Sequence, residues 1–261
     1  MSRGDGLDPR MRARRAEVDQ ARRRRRRRSL LGVVGVIVAL AGFLAVLHSP
    51  IFSARHVAVI GAGETPAGAI IAAAGLVGHP PLVDVNPAEA ASRVEALPWV
   101  GTAIVKRHWP DSVTVDVTER AAVALVPSSG GGGYLVDRTG RILAVTRHPP
   151  ASLPSLHVPV APGRPGSWLA SPSGAGLDVI VNLTPALSGW VRSVDVSAAG
   201  QVDLDLTGKL FAVVGPPTEV RAKLEALASV LASGLSGPAT VDVRVPQEPT
   251  VTPGLPAGAA G

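Results

Sequence analysis

Few side chains in this chain could do covalent or metal chemistry, and their spacing argues against a reactive site. The six histidines, at positions 48, 56, 79, 108, 148 and 157, contain no His-x-x-x-His pair. That spacing is what sets two imidazoles on one helix face for a metal. There is no cysteine, so zinc-ribbon and thiol-nucleophile chemistry are excluded, and an exported chain of this kind holds together without disulfides. Residues 130–133 are four glycines, but no Lys-Ser or Lys-Thr follows, as a phosphate loop requires. No serine occupies a Gly-x-Ser-x-Gly elbow. Asp203 and Asp205 are two apart and would share one side of a strand. Their alternation with Val202, Leu204 and Leu206 reads as the wet face of that strand rather than a metal site. The residues imply no enzyme, no cofactor and no metal.

The strongest patterns belong to position in a membrane. Arg22, Arg23, Arg24, Arg25, Arg26, Arg27 and Arg28 are followed by Ser29 and then by eighteen residues, 30–47, without a charge, amide or hydroxyl. A helix of that length rises about 27 Å, close to the hydrocarbon thickness of a bilayer. Twelve of the eighteen are Leu, Val, Ile or Phe. They favour insertion by about 4–7 kcal/mol, whereas one arginine at the bilayer centre costs about 3 kcal/mol. Residues 1–28 carry twelve arginines against four acids, +8, in a chain of net +6, which leaves −2 for residues 29–261. The basic excess thus flanks the N-terminal end of the helix. It places residues 1–28 in the cytoplasm and the chain after residue 49 on the other side. A cleaved signal peptide is the main alternative, but Phe52-Ser53-Ala54 puts a bulky residue at the first small position of a cleavage site. Arg27-Arg28-Ser29-Leu30-Leu31 loosely resembles a twin-arginine export signal. No aromatic residue interleaves the arginines, which argues against stacking on nucleic-acid bases.

Beyond the apolar helix, about 210 residues suffice for one large or two small domains. Val57 and Val59 alternate as a strand. Thr65-Pro66 opens a helix through Ile70, Ile71 and Ala74 that Gly75 stops, and Asn86, Pro87 and Glu89 start a second that ends at Pro98. Two strands follow, at 103–107 and around Val113, Val115 and Val117, joined by His108-Trp109-Pro110-Asp111. Further on, residues 122–126 read as a strand, and 134–136 with 142–145 form a hairpin across Asp137-Arg138-Thr139-Gly140. The Pro- and Gly-rich residues 147–176 read as a loop with some helix before Leu183. Strands follow at 191–196, 202–206 and 210–214. Thr218 opens a helix with Val220, Leu224, Leu227 and Leu231 on one stripe and Arg221, Lys223 and Glu225 off it. The last alternating segment is Val241-Asp242-Val243-Arg244-Val245. Residues 246–261, rich in Pro and Gly, are expected to be disordered.

Phe52 and Val57-Ala58-Val59-Ile60-Gly61, then Leu97-Pro98-Trp99-Val100, Arg107-His108-Trp109-Pro110-Asp111 and Val115-Asp116-Val117-Thr118-Glu119-Arg120 come in an order and spacing that resembles the FtsQ/DivIB family of bacterial cell-division proteins. The resemblance implies an α+β chain: a basic cytoplasmic tail at 1–28, a transmembrane helix at 29–49, a POTRA domain of order β-α-α-β-β at 52–119, a mixed α/β domain with an antiparallel-rich sheet at 120–245 and a tail at 246–261. It implies a bitopic scaffold concentrated at the septum, with partners similar to FtsB/DivIC and FtsL and, through them, the peptidoglycan synthases FtsW and FtsI. Val241, Asp242, Val243, Arg244 and Val245 are the expected partner-binding strand, offering an open edge for β-augmentation, with Arg244 suited to a partner carboxylate. Glu119 and Arg120 are expected to set the junction between the two domains. One departure is visible: Val245 and Pro246 follow the arginine where many relatives have an aromatic residue. A membrane-anchored POTRA-type assembly module outside division is the alternative.

Overall fold

The computed structural model of the protein describes residues 30–235 and 237–256. The expected orientation signal at residues 22–28, the rest of the basic tail and residues 257–261 lie outside the described residues. The strands form two sheets. One is three-stranded, in the order β1 (His56–Ile60), β3 (Ser112–Glu119), β2 (Val100–His108). The other has nine strands, in the order β12 (Thr250–Pro253), β11 (Ala239–Asp242), β10 (Leu210–Gly215), β9 (Val202–Leu206), β8 (Val191–Val196), β7 (Ser155–His157), β4 (Ala122–Pro127), β5 (Gly133–Asp137), β6 (Ile142–Thr146). Among the described residues the chain separates into two compact units, 30–58 with 76–86 and 107–113, and 59–75 with 87–106 and 114–256.

In the first unit, α1 runs Leu30–Leu47 with a mean hydropathy of 2.9 and none of its span buried by protein. A helix apolar on all faces and covered by nothing is suited to lipid, where every backbone group must bond within the helix. After it, Ser49 Oγ accepts from the Ile51 N–H and opens a single 3₁₀ turn, Pro50–Phe52. The turn is tied down at once: the Leu82 N–H donates to Phe52 O at 2.7 Å, and Ser53 bridges to Pro81. Arg107 Nη1 donates to Leu82 O and Val85 O, 3.1 Å each.

In the second unit, α2 (Ala67–Ala74) and α3 (Pro87–Glu95) pack through Ile70, Ala74, Ala90 and Val94. Arg93 of α3 supplies what α2 lacks at its C-terminal end, donating through Nε to Ala73 O and through Nη2 to Ala74 O. A cation there also suits the negative end of the helix dipole. Ahead of α2, the Glu119 carboxylate accepts the N–H groups of Gly63, Glu64 and Thr65 at 2.8–3.0 Å. Burial would raise the Glu119 carboxyl, but these three donors hold it below its ordinary value. Thr65, the expected cap, is therefore itself a donor to Glu119, and the helix begins after Pro66.

The nine-stranded sheet carries its core on the face covered by α4 (Gly174–Val181), α5 (Pro185–Ser188) and α6 (Val220–Ala232), where Leu156, Leu177, Ile180, Leu204, Leu206, Leu224, Leu227 and Leu231 meet. Five of its eight strand pairs are antiparallel and three parallel, so the expected antiparallel-rich sheet is present. The parallel pairs include β7 (Ser155–His157), three residues set between β4 (Ala122–Pro127) and β8 (Val191–Val196). This strand falls inside the segment expected to be loop. Gly176 lets α4 come down onto it, since a Cβ there would sit 2.5 Å from Leu156 Cδ1 and 2.6 Å from Val196 Cγ2. Lys223, expected on the solvent side of α6, is instead fully buried along its stem and donates through Nζ to Pro216 O at 2.8 Å. Desolvation lowers its pKa. The four-carbon stem behaves as core while the head reaches a carbonyl.

The turn between β5 (Gly133–Asp137) and β6 (Ile142–Thr146) is a charged knot. Asp137 Oδ1 accepts from Thr139 N, Thr139 Oγ1 and Arg141 N, while Oδ2 takes Arg120 Nη1 at 2.7 Å. Arg120 Nε reaches back to Val100 O. Arg141 Nη2 donates to Ala96 O at 2.8 Å and Leu97 O at 3.3 Å just after α3, and its guanidinium lies 5.0 Å from the Trp168 ring centroid. Arg120 thus ties Val100 to Asp137 within the second unit, and Glu119 braces the start of α2.

Burial pushes the Asp137 carboxyl up, yet the Thr139, Arg120 and Arg141 donors outweigh it and leave the pKa lowered. A depressed carboxylate contributes stability above its ordinary pKa, about 3.9, that is lost as pH falls through the folded value. Asp137→Asn should therefore lower stability at neutral pH by about 3 kcal/mol, because Arg120 is left without its carboxylate. The variant should also lose less stability than the parent between about pH 4 and pH 2, read by urea melts across that range.

A candidate partner-binding edge

The expected contact strand lies in the second unit, beside β10 (Leu210–Gly215). β11 spans Ala239–Asp242, shorter than expected, and runs parallel to β10 with Val241 opposite Ala212 and Asp242 opposite Val213. The ladder continues one residue further, since the Val243 N–H donates to Val213 O at 3.0 Å. Ala239, Val241 and Val243 are buried in the core under α6, so of the five expected residues Val241 and Val243 offer no surface.

Asp242, Arg244 and Val245 do reach solvent, Val245 at 55% exposure. Arg244 is not waiting for a carboxylate, because Asp242 already holds its fork. Nε donates to both carboxylate oxygens at 3.0–3.1 Å and Nη2 to Oδ2 at 2.6 Å. The Arg244 bonds, foremost the side-chain one, pull the Asp242 carboxyl below its usual range. The arginine stem crosses Gly215 so closely that a Cβ there would lie 2.8 Å from Arg244 Cγ, and Gly215 also has φ +75°. Both the approach and the backbone angle call for glycine.

Among the described residues the open edge is elsewhere. Thr250–Pro253, within the tail expected to be disordered, form β12, antiparallel to β11 with Thr240 opposite Thr252 and Val241 opposite Val251. β11 is therefore an interior strand, and β12 covers the border assigned to it. The Gly254 N–H donates to Pro238 O. Bonded pairs in an antiparallel ladder recur every second residue, so Thr250 and Thr252 face β11, whereas Val251 and Pro253 turn their backbone polar groups outward. Proline has no N–H. Within β12 the outward donor is thus Val251 alone, accompanied by carbonyls, and all four residues of the strand are exposed. At the opposite border the start of β6 is covered: the Ile142 N–H donates to Ser167 O, and the Gly166 N–H to Ile142 O, at 2.8 and 2.7 Å. The signal for β12 was present in the β-branched run Thr250-Val251-Thr252, but it lies between Pro249 and Pro253 in a Pro-rich stretch.

Asp203 and Asp205 lie with Asp195 on the sheet face away from the helices. Desolvation, then Asp195, raises the Asp203 carboxyl. Among the described residues no group of three metal-ligating side chains forms a cation site.

Among the described residues, one helix long and apolar enough to cross a membrane, a β-α-α-β-β arrangement and a mixed sheet make an α+β chain with a POTRA-like module. Residues 52–120 match the FtsQ-type POTRA domain, and residues 124–244 match the C-terminal domain of cell division protein FtsQ/DivIB. The chain is 31% identical over 216 residues to cell division protein FtsQ of Mycolicibacterium smegmatis, covering 82% of this chain and 62% of that protein. It is 29% identical to FtsQ of Mycobacterium tuberculosis over 85% of this chain and 68% of that one. With FtsQ of Streptomyces collinus it shares 32% identity over 71% of this chain and 72% of the relative. The chain belongs to the FtsQ/DivIB family, and that membership supports a role in cell division.

Val243→Pro should destabilise the protein by about 3 kcal/mol or more, since it removes an interior ladder bond. Val251→Pro alters an edge position whose N–H has no partner in the ladder, and should leave stability within about 0.5 kcal/mol of the parent. Thermal and urea melts of the two variants separate these positions.

Proposed function

We propose that this chain is a non-enzymatic scaffold of the division machinery, held by α1 with its N-terminus in the cytoplasm and its two folded units outside. In this reading a strand from an FtsB/DivIC-like or FtsL-like partner pairs with β12. Through those partners the chain is linked to FtsW- and FtsI-type peptidoglycan synthases at the septum. The observation that carries the reading is the outward-facing backbone of Val251 at an end of the nine-stranded sheet. Backbone pairing supplies affinity, and neighbouring side chains supply choice of partner. Of the five residues first assigned, Val241 and Val243 set the position of β12 from beneath. Asp242, Arg244 and Val245 lie at the turn into it, where a partner carboxylate would compete with Asp242 for the Arg244 fork.

The test is capture from membranes. The full chain with Val251→Pro should keep its fold and membrane fraction but lose co-purification of the small FtsB- and FtsL-like proteins. Undiminished capture by that variant would move the contact off β12. A fluorescent fusion of the unaltered chain should form a mid-cell band, and uniform envelope signal would contradict a septal role.

A further inference from the structure

Beyond α1, the first unit exposes three large apolar side chains, Ile51, Val77 and Trp109, and two of them lie on either side of Phe52. Ile51 is 67% exposed and Trp109 is 52% exposed. They belong to segments more than fifty residues apart in sequence, yet Phe52 joins them: its ring meets the Trp109 ring edge-on at 5.8 Å between centroids. The loop bearing Trp109 is fixed there, since the N–H groups of Arg55 and His56 both donate to Asp111 O, at 2.9 and 3.1 Å.

What lies beside this pair follows from the chain itself. Phe52 is five residues past Leu47, the last residue of α1, and three of those five form a 3₁₀ turn. At about 2 Å of rise per residue the three-residue turn spans about 6 Å beyond the helix end. The headgroup layer extends about 5–8 Å past each face of the hydrocarbon. The helix end is also tied to the unit by His48, whose Nε2 lies 3.4 Å from Asp84 Oδ1 and whose Nδ1 bonds Leu44 O at 2.8 Å. If α1 fills the hydrocarbon, the Trp109 ring cannot be far from the headgroups. Arg55, three residues after Phe52, and Arg107, two before Trp109, are exposed, and of the acids Asp84 faces His48 and Asp111 faces His56. An amphipathic ring on a surface that also exposes arginines is what the headgroup layer accommodates.

We propose that Ile51 and Trp109 form a second, interfacial membrane contact, seated in the headgroup region of the leaflet where α1 ends. The contact rests on α1 being a membrane span. It makes the lipid surface, and not another protein, the occupant of this patch, and it limits how the first unit rocks on its helix.

The full chain is reconstituted alone in phosphatidylcholine–phosphatidylglycerol vesicles containing lipids brominated near the carboxyl end of the acyl chains. Trp99, Trp168 and Trp190 are replaced by Phe, leaving Trp109 as the sole indole. A second chain also carries Trp109→Phe with Phe43→Trp as a marker within the helix, and a third retains Trp168 alone. Emission from Trp109 should be lost to the brominated lipid, as should that of the helix marker, while Trp168 is unaffected. A quenched helix marker beside an unquenched Trp109 overturns the contact and leaves the span standing; an unquenched marker removes both. Quenching of Trp109 only after a second protein is added also overturns it. Because the chain has no cysteine, a spin label at His108→Cys in the otherwise native chain gives the same depth reading with every tryptophan in place. Collisions with oxygen should dominate those with a water-soluble nickel chelate, and the reverse counts against the contact.

Discussion

Every backbone donor and acceptor taken out of water needs a partner, and this constraint shapes the protein from end to end. In α1 the answer is internal, which is why an apolar run of eighteen residues can stand without any protein against it. In the nine-stranded sheet the answer is lateral. Each strand leans on two neighbours until the sheet runs out, and the two ends are treated differently. The start of β6 is closed by the segment at 166–168. Among the described residues the β12 end is left open but kept narrow, because Pro253 removes one of its two outward donors and Pro249 sits just ahead of it. Prolines and a short strand are common means of keeping an edge from pairing at random.

The same constraint explains where several charged side chains went. Arg93 and Arg141 both donate to carbonyls at the ends of helices that the helices themselves cannot use. Lys223 does so for Pro216. Asp137 reverses the sign, collecting backbone and side-chain donors around one carboxylate. The Asp137 carboxyl is lowered by its donors against the pull of burial, and the Lys223 ammonium is lowered by burial.

Much of this was legible in the sequence where a period or a stop residue announced it. The eighteen apolar residues of α1, the alternation of Val202, Leu204 and Leu206 in β9, and the stripe of Leu224, Leu227 and Leu231 in α6 all appear where expected. What escaped had no period to show. β7 is three residues long and is a strand only because β4 and β8 pair with it on both sides, a tertiary effect. β12 is four residues that follow Pro249 directly and end on Pro253. The candidate site suffered from the second of these. Taking Pro246 as the end of regular structure made β11 look like the border, and a single added strand turned its valines from contact surface into core. Lys223 was misplaced for a related reason, since helical periodicity assigns a lysine to solvent without weighing its stem.

A border with one outward N–H cannot hold a partner strand by ladder bonds alone. Each backbone bond nets only about 0.5–1.5 kcal/mol once water is displaced, and ordering an incoming strand costs about 1–2 kcal/mol per residue. A strand pairing with β12 would therefore need side-chain contacts beyond the ladder. The exposed groups nearest to hand are Val245, Arg244 and Val251 itself. Because Arg244 is already satisfied by Asp242, a partner carboxylate gains only the difference between two similar ion pairs. Discrimination at such an edge would fall chiefly to apolar fit, in a chain that has no aromatic residue after position 211 to provide it.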